Sequence, residues 1–188
     1  DIGNLSIFYK NLEGYKAAPS TAREVILSAG AYGTEENPQT CTANVSLASR
    51  PIMRRSPYAG MLVNGAGRPI DLDGGAPTLP ASMGGNKTPI VDEEALRSIT
   101  TPNWFATYHA GLLAGTMSPA TSKIPSTIRR LTIKECSAIQ TFPDNYKFSG
   151  RKTKQYTQIG NAVPCRFARA VALAVREAYF GGGNGYGG

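Results

Sequence analysis

The chain is short of the residues that build metal centres, disulfide frameworks and membrane spans. It has one histidine, His109, and three cysteines, Cys41, Cys136 and Cys165, with no Cys/His cluster, so no structural zinc or other metal site is expected. The cysteines show no C-x-x-C spacing, and one stays unpaired in any disulfide scheme. That points to a reduced, intracellular protein. The longest uninterrupted apolar run, Ala170 to Val175, is far too short to span a bilayer, and no charged-then-apolar signal opens the chain. It starts on Asp1 rather than Met, from which we expect a processed or excised piece. Carboxylates are scarce too: 13 Asp and Glu against 20 Lys and Arg leave a formal charge of +7. A basic balance favours an acidic partner, nucleic acid being the commonest, although many basic proteins have none.

What is present is enough for one good core, or for one small domain with a docking extension, in 188 residues. Hydrophobic content of 41% with 18% charged residues argues against wholesale disorder. Gly 21 and Pro 13 imply many turns and a loop-rich body rather than a helical bundle. The charge is uneven. Between Lys123 and Tyr156, eight Lys and Arg face only Glu135 and Asp144. Cations clustered in this way gain from counterion release beside a polyphosphate, or simply form a solvated basic face.

The first fifty residues carry no motif with chemistry. Thr21 and Glu24 have capping-box spacing ahead of Val25, Ile26 and Leu27, which predicts a short helix ending near Gly30, and Glu35 to Pro38 reads as a turn. From Tyr58 to Val91, short apolar pieces alternate with Gly and Asn turns, the pattern of irregular β structure with exposed loops. A turn of helix is expected over Asp92 to Leu96, followed by the aromatic group Trp104, Phe105 and Tyr108 and a Ser/Thr/Pro-containing loop. Thr132 and Glu135 repeat the capping-box spacing, and Ile133, Cys136, Ile139 and Gln140 keep helical spacing until Pro143 ends the run. The last helix is the clearest element. Pro164 suits its first turn, and Phe167, Val171, Ala174, Val175 and Ala178 form one apolar stripe. The closing Gly-rich octapeptide, 181–188, reads as a flexible tail.

Two blocks in the last third carry more than structure. Arg130, Leu131, Thr132, Glu135, Gln140, Phe142 and Pro143 form one; Gln158, Gly160, Asn161, Ala162 and Val163 form the other, about fifteen residues later. Together they closely resemble the ninth and tenth conserved motifs of cytosine-5 DNA methyltransferases. The resemblance covers Arg130 to about Val171 well and Tyr58 to Val91 more loosely. It implies that Arg130, Thr132, Glu135, Gln140 and Pro143 organise the target-recognition domain against the catalytic domain. It also implies that Gly160, Asn161, Ala162 and Val163 help line an S-adenosylmethionine pocket. A Gly-Asn-Ala turn entering a helix lets backbone N–H groups approach a carboxylate, although a plain helix cap gives the same pattern.

The resemblance equally shows what is missing. Family enzymes flip a cytosine from the duplex, add a Pro-Cys-Gln thiolate to ring position six and use the glutamate of a Glu-Asn-Val segment. Neither segment is here, nor a Gly-rich turn after a strand, so no catalytic residue is assigned to this chain. Pro164 and Cys165 only imitate a nucleophile loop: Cys165 sits in the tenth-motif helix without an activating base or glutamate. Cys136 reads as core packing, Cys41 has no context, and His109 has no acid or nucleophile around it.

Residues 76–88 resemble a first recognition region. There Ser82, Gly84, Gly85, Asn86, Lys87 and Thr88 would meet the major groove, with Asn86 suited to an adenine edge and Lys87 to guanine or phosphate. An ordinary Gly-Gly-Asn turn is the plain alternative. The expected organisation is therefore α+β: an unassigned segment over 1–50, a loop-rich β recognition domain over 51–129, ninth and tenth motifs with a docking helix over 130–180, and the tail. The C-terminal helices would dock on an absent α/β catalytic domain. Expected partners are double-stranded DNA, a chain or segment carrying that domain, and a second copy through the last helix; no membrane is expected. The expected location is the bacterial cytoplasm. The rival reading is a non-catalytic DNA-binding module derived from a methyltransferase, and a weaker one a general basic protein.

Overall fold

The computed structural model describes residues 21–31, 41 and 43–180. The predicted turn over Glu35 to Pro38 and the Gly-rich tail lie outside the described residues. The class is mixed α+β, with short antiparallel strands and six helices among the described residues.

Helix α1 (Ala22–Ala31) starts where its capping box predicts: the Thr21 amide donates to Glu24 Oε2 at 2.9 Å, and the Glu24 amide to Thr21 Oγ1 at 3.3 Å. It buries Ala22 and Ile26. Strands β1 (Leu47–Ile52) and β2 (Met61–Val63) pair antiparallel, Leu47 opposite Val63 and Ile52 opposite Met61, with an irregularity between. The second sheet pairs β3 (Ile90–Asp92) antiparallel with β4 (Ile128–Arg130), Val91 lying opposite Arg129. Residues 68–70 run beside β3 in parallel, the Ile70 amide donating to Ile90 O and the Ile90 amide to Arg68 O. Pieces this short follow from the Gly, Asn and Pro turns that punctuate the segment.

Asp92 closes β3 and opens α2 (Glu93–Arg97), its carboxylate accepting the Glu94 and Ala95 amides and also the Trp104 amide at 2.9 Å. That last bond seats α3 (Trp104–Leu113), on which Trp104 stacks on Tyr108 with ring centres 4.8 Å apart. The aromatic group noted in the sequence is thus one helix face. Helix α4 (Ile133–Ile139) has the full Thr132/Glu135 capping box. It is followed by α5 (Lys152–Asn161) and α6 (Cys165–Phe180).

One hydrophobic cluster draws on Ile26 of α1, Ile70, Leu72, Leu79 and Met83 of the loops, and Val91 of β3. Leu131, Ile133 and Cys136 from around α4, with Tyr156 and Ile159 of α5, complete it. A smaller cluster of Val63, Ile90, Phe105 and Ile128 sits under α3. None of the described side chains of α6 is buried.

Candidate nucleic-acid interface and cofactor edge

Arg130 ends β4 and is 2% exposed. Among the described residues its guanidinium meets no carboxylate. Nε donates to Ala43 O at 3.1 Å, Nη1 to Thr88 O at 2.9 Å and Asn86 O at 3.2 Å, and Nη2 to Asn64 O at 3.1 Å and Asn64 Oδ1 at 3.3 Å. Burial pulls its pKa below the ordinary arginine value, offset in part by Cys41. One side chain from the ninth-motif block therefore ties together three loops, 43, 64 and 86–88. The loops approach so closely that Gly65 and Gly67 have no room for a Cβ: it would lie 2.3 Å from Asn86 O at Gly65 and 2.1 Å from Thr88 O at Gly67. Sequence reading noted these glycines only as turns. Their crossing with residues 86–88 is a tertiary fact that no local pattern announces.

The loop expected to face DNA is split by this arrangement. Ser82, Asn86 and Lys87 are exposed, and Gly84 and Gly85 are half-buried. Thr88 is fully buried; its hydroxyl accepts the Gly84 amide at 2.9 Å and its carbonyl serves Arg130, so it shapes the loop from inside. Gly84, at φ +103°, lies against Thr153 of α5. Just beyond it, exposed Arg151, Lys152 and Lys154 surround the start of α5. The basic character of the segment thus adjoins the loop with Asn86 and Lys87.

The other ninth-motif residues brace the body. Glu135 is 3% exposed and accepts both Arg129 Nη1 at 2.9 Å and Nη2 at 2.8 Å, besides the Thr132 amide at 2.7 Å. Gln140, also buried, donates from Nε2 to Ile159 O at 3.1 Å and Ala162 O at 3.3 Å. Pro143 is exposed and starts a turn closed by the Tyr146 amide. Beyond it, Phe142, Tyr146 and Phe148 pack their rings 4.8–5.0 Å apart. They line a cleft of about 350 Å³ that also includes Lys134, Lys147 and Gln155. None of the residues expected to bind cofactor borders this cleft.

Those residues lie between two helices. Gly160 and Asn161 form the last turn of α5 rather than a turn entering a helix, and Ala162 caps it. Gly160 faces inward, where a Cβ would stand 2.4 Å from Pro80 O and 2.7 Å from the Ala81 Cα. The first amides of α6 are already engaged, Cys165 N donating to Gln140 O at 3.1 Å and Arg166 N to Thr141 Oγ1 at 2.9 Å. What this turn presents outward is the exposed Asn161 amide and Val163, which is 58% exposed. A polar and an apolar group side by side suit one edge of a cofactor pocket. They do not enclose one.

The remaining candidates are structural. His109 is 5% exposed and its Nε2 bonds Arg54 O at 2.7 Å. Burial first, then Glu135 and Cys41, pushes the Cys136 thiol well up, which keeps it a thiol. Tyr156 donates its hydroxyl to Leu131 O at 2.7 Å in the core, and its pKa is raised by burial. Among the described residues no metal-binding group is assembled, and no helix is long and apolar enough to cross a membrane.

Residues 85–177 match the family of C-5 cytosine-specific DNA methylases, and that stretch carries the family's domain. The chain is 55% identical over 49 residues to the Type II methyltransferase M.Bpa9945I of Bacillus paralicheniformis, covering 26% of this chain and 11% of that relative. It is 51% identical over 59 residues to the Type II methyltransferase M.BspRI of Lysinibacillus sphaericus, covering 26% and 14%. A plant relative, DNA (cytosine-5)-methyltransferase CMT2 of Oryza sativa subsp. japonica, is 47% identical over 55 residues, covering 29% and 4%. The match therefore spans a small part of each of these relatives.

Proposed function

We propose that this chain is the DNA-recognition and tenth-motif portion of a cytosine-5 DNA methyltransferase, acting on double-stranded DNA together with a chain or segment that carries the catalytic domain. The observation that carries this reading is the double reach of one motif. Arg130 fixes the loop that exposes Ser82, Asn86 and Lys87, while Gln140, ten residues on, holds the turn that exposes Asn161 and Val163. On this reading one short helix would hold the recognition surface and the cofactor edge at a fixed distance.

In this reading the exposed Asn86 and Lys87 read base edges and phosphates, and Arg151, Lys152 and Lys154 add backbone contacts. Asn161 and Val163 complete one side of a site for S-adenosylmethionine, which supplies the methyl group when bound. The nucleophile, the glutamate and the rest of that site come from the complementary portion. An intracellular, bacterial setting fits the restriction-modification type of the bacterial relatives. The test is tritium transfer from labelled S-adenosylmethionine to duplex DNA. The chain alone is expected to show none, and the chain mixed with a complementary portion bearing the first eight motifs is expected to show turnover. Turnover by the chain alone sinks the divided reading; DNA binding with no turnover in the mixture favours a non-catalytic binding module.

A further inference from the structure

Thr141 is the one described non-glycine residue with a positive φ, +57°. It follows α4 in a Schellman ending: its amide donates to Ala138 O at 2.9 Å and the Phe142 amide to Ser137 O at 3.1 Å. Glycine is the usual occupant of this position, because a β-branched side chain strains in the left-handed region. The other four positive-φ residues described, Gly65, Gly84, Gly115 and Gly150, follow that rule. A strained threonine held here calls for something its side chain does that glycine cannot.

The side chain has a clear task. Helix α6 follows Ala162, Val163 and Pro164, none of which has a side chain able to accept a hydrogen bond, so its first amides need acceptors from elsewhere. Thr141 Oγ1 accepts the Arg166 amide at 2.9 Å, and the carbonyl of Gln140 accepts the Cys165 amide at 3.1 Å. We infer that Thr141 is a positioning residue: its left-handed backbone aims the hydroxyl at α6, caps that helix from 25 residues away, and sets the direction in which it leaves the body. Direction matters because α6 is long and none of its described side chains is buried. Sixteen residues span about 24 Å, so a tilt of ~10° at the base moves the far end by about 4 Å. Resting on the proposed reading, this places the apolar stripe for the complementary portion and keeps Asn161 and Val163 in register with it.

Three variants of the full chain test this: T141S, T141A and T141G. Amide hydrogen exchange reports the cap directly, and titration with the complementary portion reports its consequence. T141S is expected to protect the Arg166 amide as the natural chain does. T141A and T141G are expected to let it exchange about fivefold faster, the usual scale of a lost cap, and to bind the complementary portion several-fold more weakly. T141G should nevertheless melt no lower than T141A, since glycine relieves the backbone strain. Unchanged Arg166 protection in T141G, or T141S behaving like T141A, overturns the inference. The exchange result does not depend on methyl transfer. An inactive mixture with the expected exchange pattern rejects the methyltransferase reading alone, and an active mixture with unchanged exchange rejects the cap alone.

Discussion

A buried guanidinium that meets only carbonyl and amide oxygens among the described residues is unusual, since a charge taken out of water ordinarily demands a counter-charge. Arg130 meets the demand with number and geometry: five bonds from a rigid planar fork to oxygens converging from three loops. A lysine could not span that spread. The same logic of close backbone approach explains Gly160, which the motif alone presents as a ligand residue. Its missing Cβ makes room for Pro80 and Ala81, whereas a Cβ on Gly85 would meet nothing within 4 Å. G160A is therefore expected to lose about 1–3 kcal/mol of stability in urea unfolding, and G85A to stay close to the natural chain. Equal stability of the two variants would return Gly160 to a purely ligand-facing role.

At the scale of elements, an ion network clasps the second sheet to two helices. Arg129 of β4 bonds Glu135 of α4 through two nitrogens and Glu93 of α2 at 3.2 Å, and Glu93 also holds Arg97 at 2.7 Å. Burial alone would raise the Glu93 pKa, but the hydrogen bond from Arg97 and the charge of Arg129 outweigh it and the net shift is downward. A carboxylate lowered in the folded state stabilises above its unfolded pKa and loses that contribution as pH falls through the folded value. Stability should thus decline below the ordinary carboxylate range, and E93Q should flatten that limb when unfolding is followed at successive acid pH values. A slope unaltered in E93Q would remove Glu93 from the account. Helix α4 ends at Ile139 on the left-handed Thr141, short of Pro143, but both capping boxes and with them the starts of α1 and α4 were legible in the sequence, because Thr and Glu three apart satisfy helix amides locally. Helices α3 and α5 were not. Helix α3 carries one weak local signal, the Asn103 cap that accepts the Phe105 amide at 3.1 Å, and takes the rest from Asp92, twelve residues away; α5 opens at Arg151 with no side-chain cap, its run Lys152–Asn161 carrying only Tyr156 and Ile159 into the core. The loop over 76–88 was legible as glycine-rich, but the bond that its Thr88 carbonyl accepts from Arg130 of β4 joins residues 42 apart and leaves no local trace.

At the scale of the molecule, the stripe on α6 is an imbalance that the described residues do not resolve. Phe167, Val175 and Tyr179 are 53%, 42% and 79% exposed, on a helix with no buried side chain among those described, while the core under α4 and α5 is closed. Fully covering a Phe or Val side chain is worth roughly 1.5–3 kcal/mol, so two such positions acting together would contribute several kcal/mol to an encounter that fits them. Charge does not compete for this face, since Arg166, Arg169, Arg176 and Glu177 lie off the stripe. Cover by the complementary portion is the arrangement that the proposed function requires, and pairing of two α6 stripes is the substitute open to the chain alone. Sedimentation of the isolated chain should accordingly show concentration-dependent self-association. The F167D/V175D double variant should return it to monomer and weaken its capture by the complementary portion at least tenfold, the loss of about 1.4 kcal/mol that a single uncovered apolar side chain already exceeds. Circular dichroism of the variant separates a lost interface from a melted helix, because both substitutions leave the α4 and α5 core untouched. A natural chain that stays monomeric at every concentration, with an unaltered grip on the complementary portion in the double variant, would mean that α6 is held by something other than its apolar face.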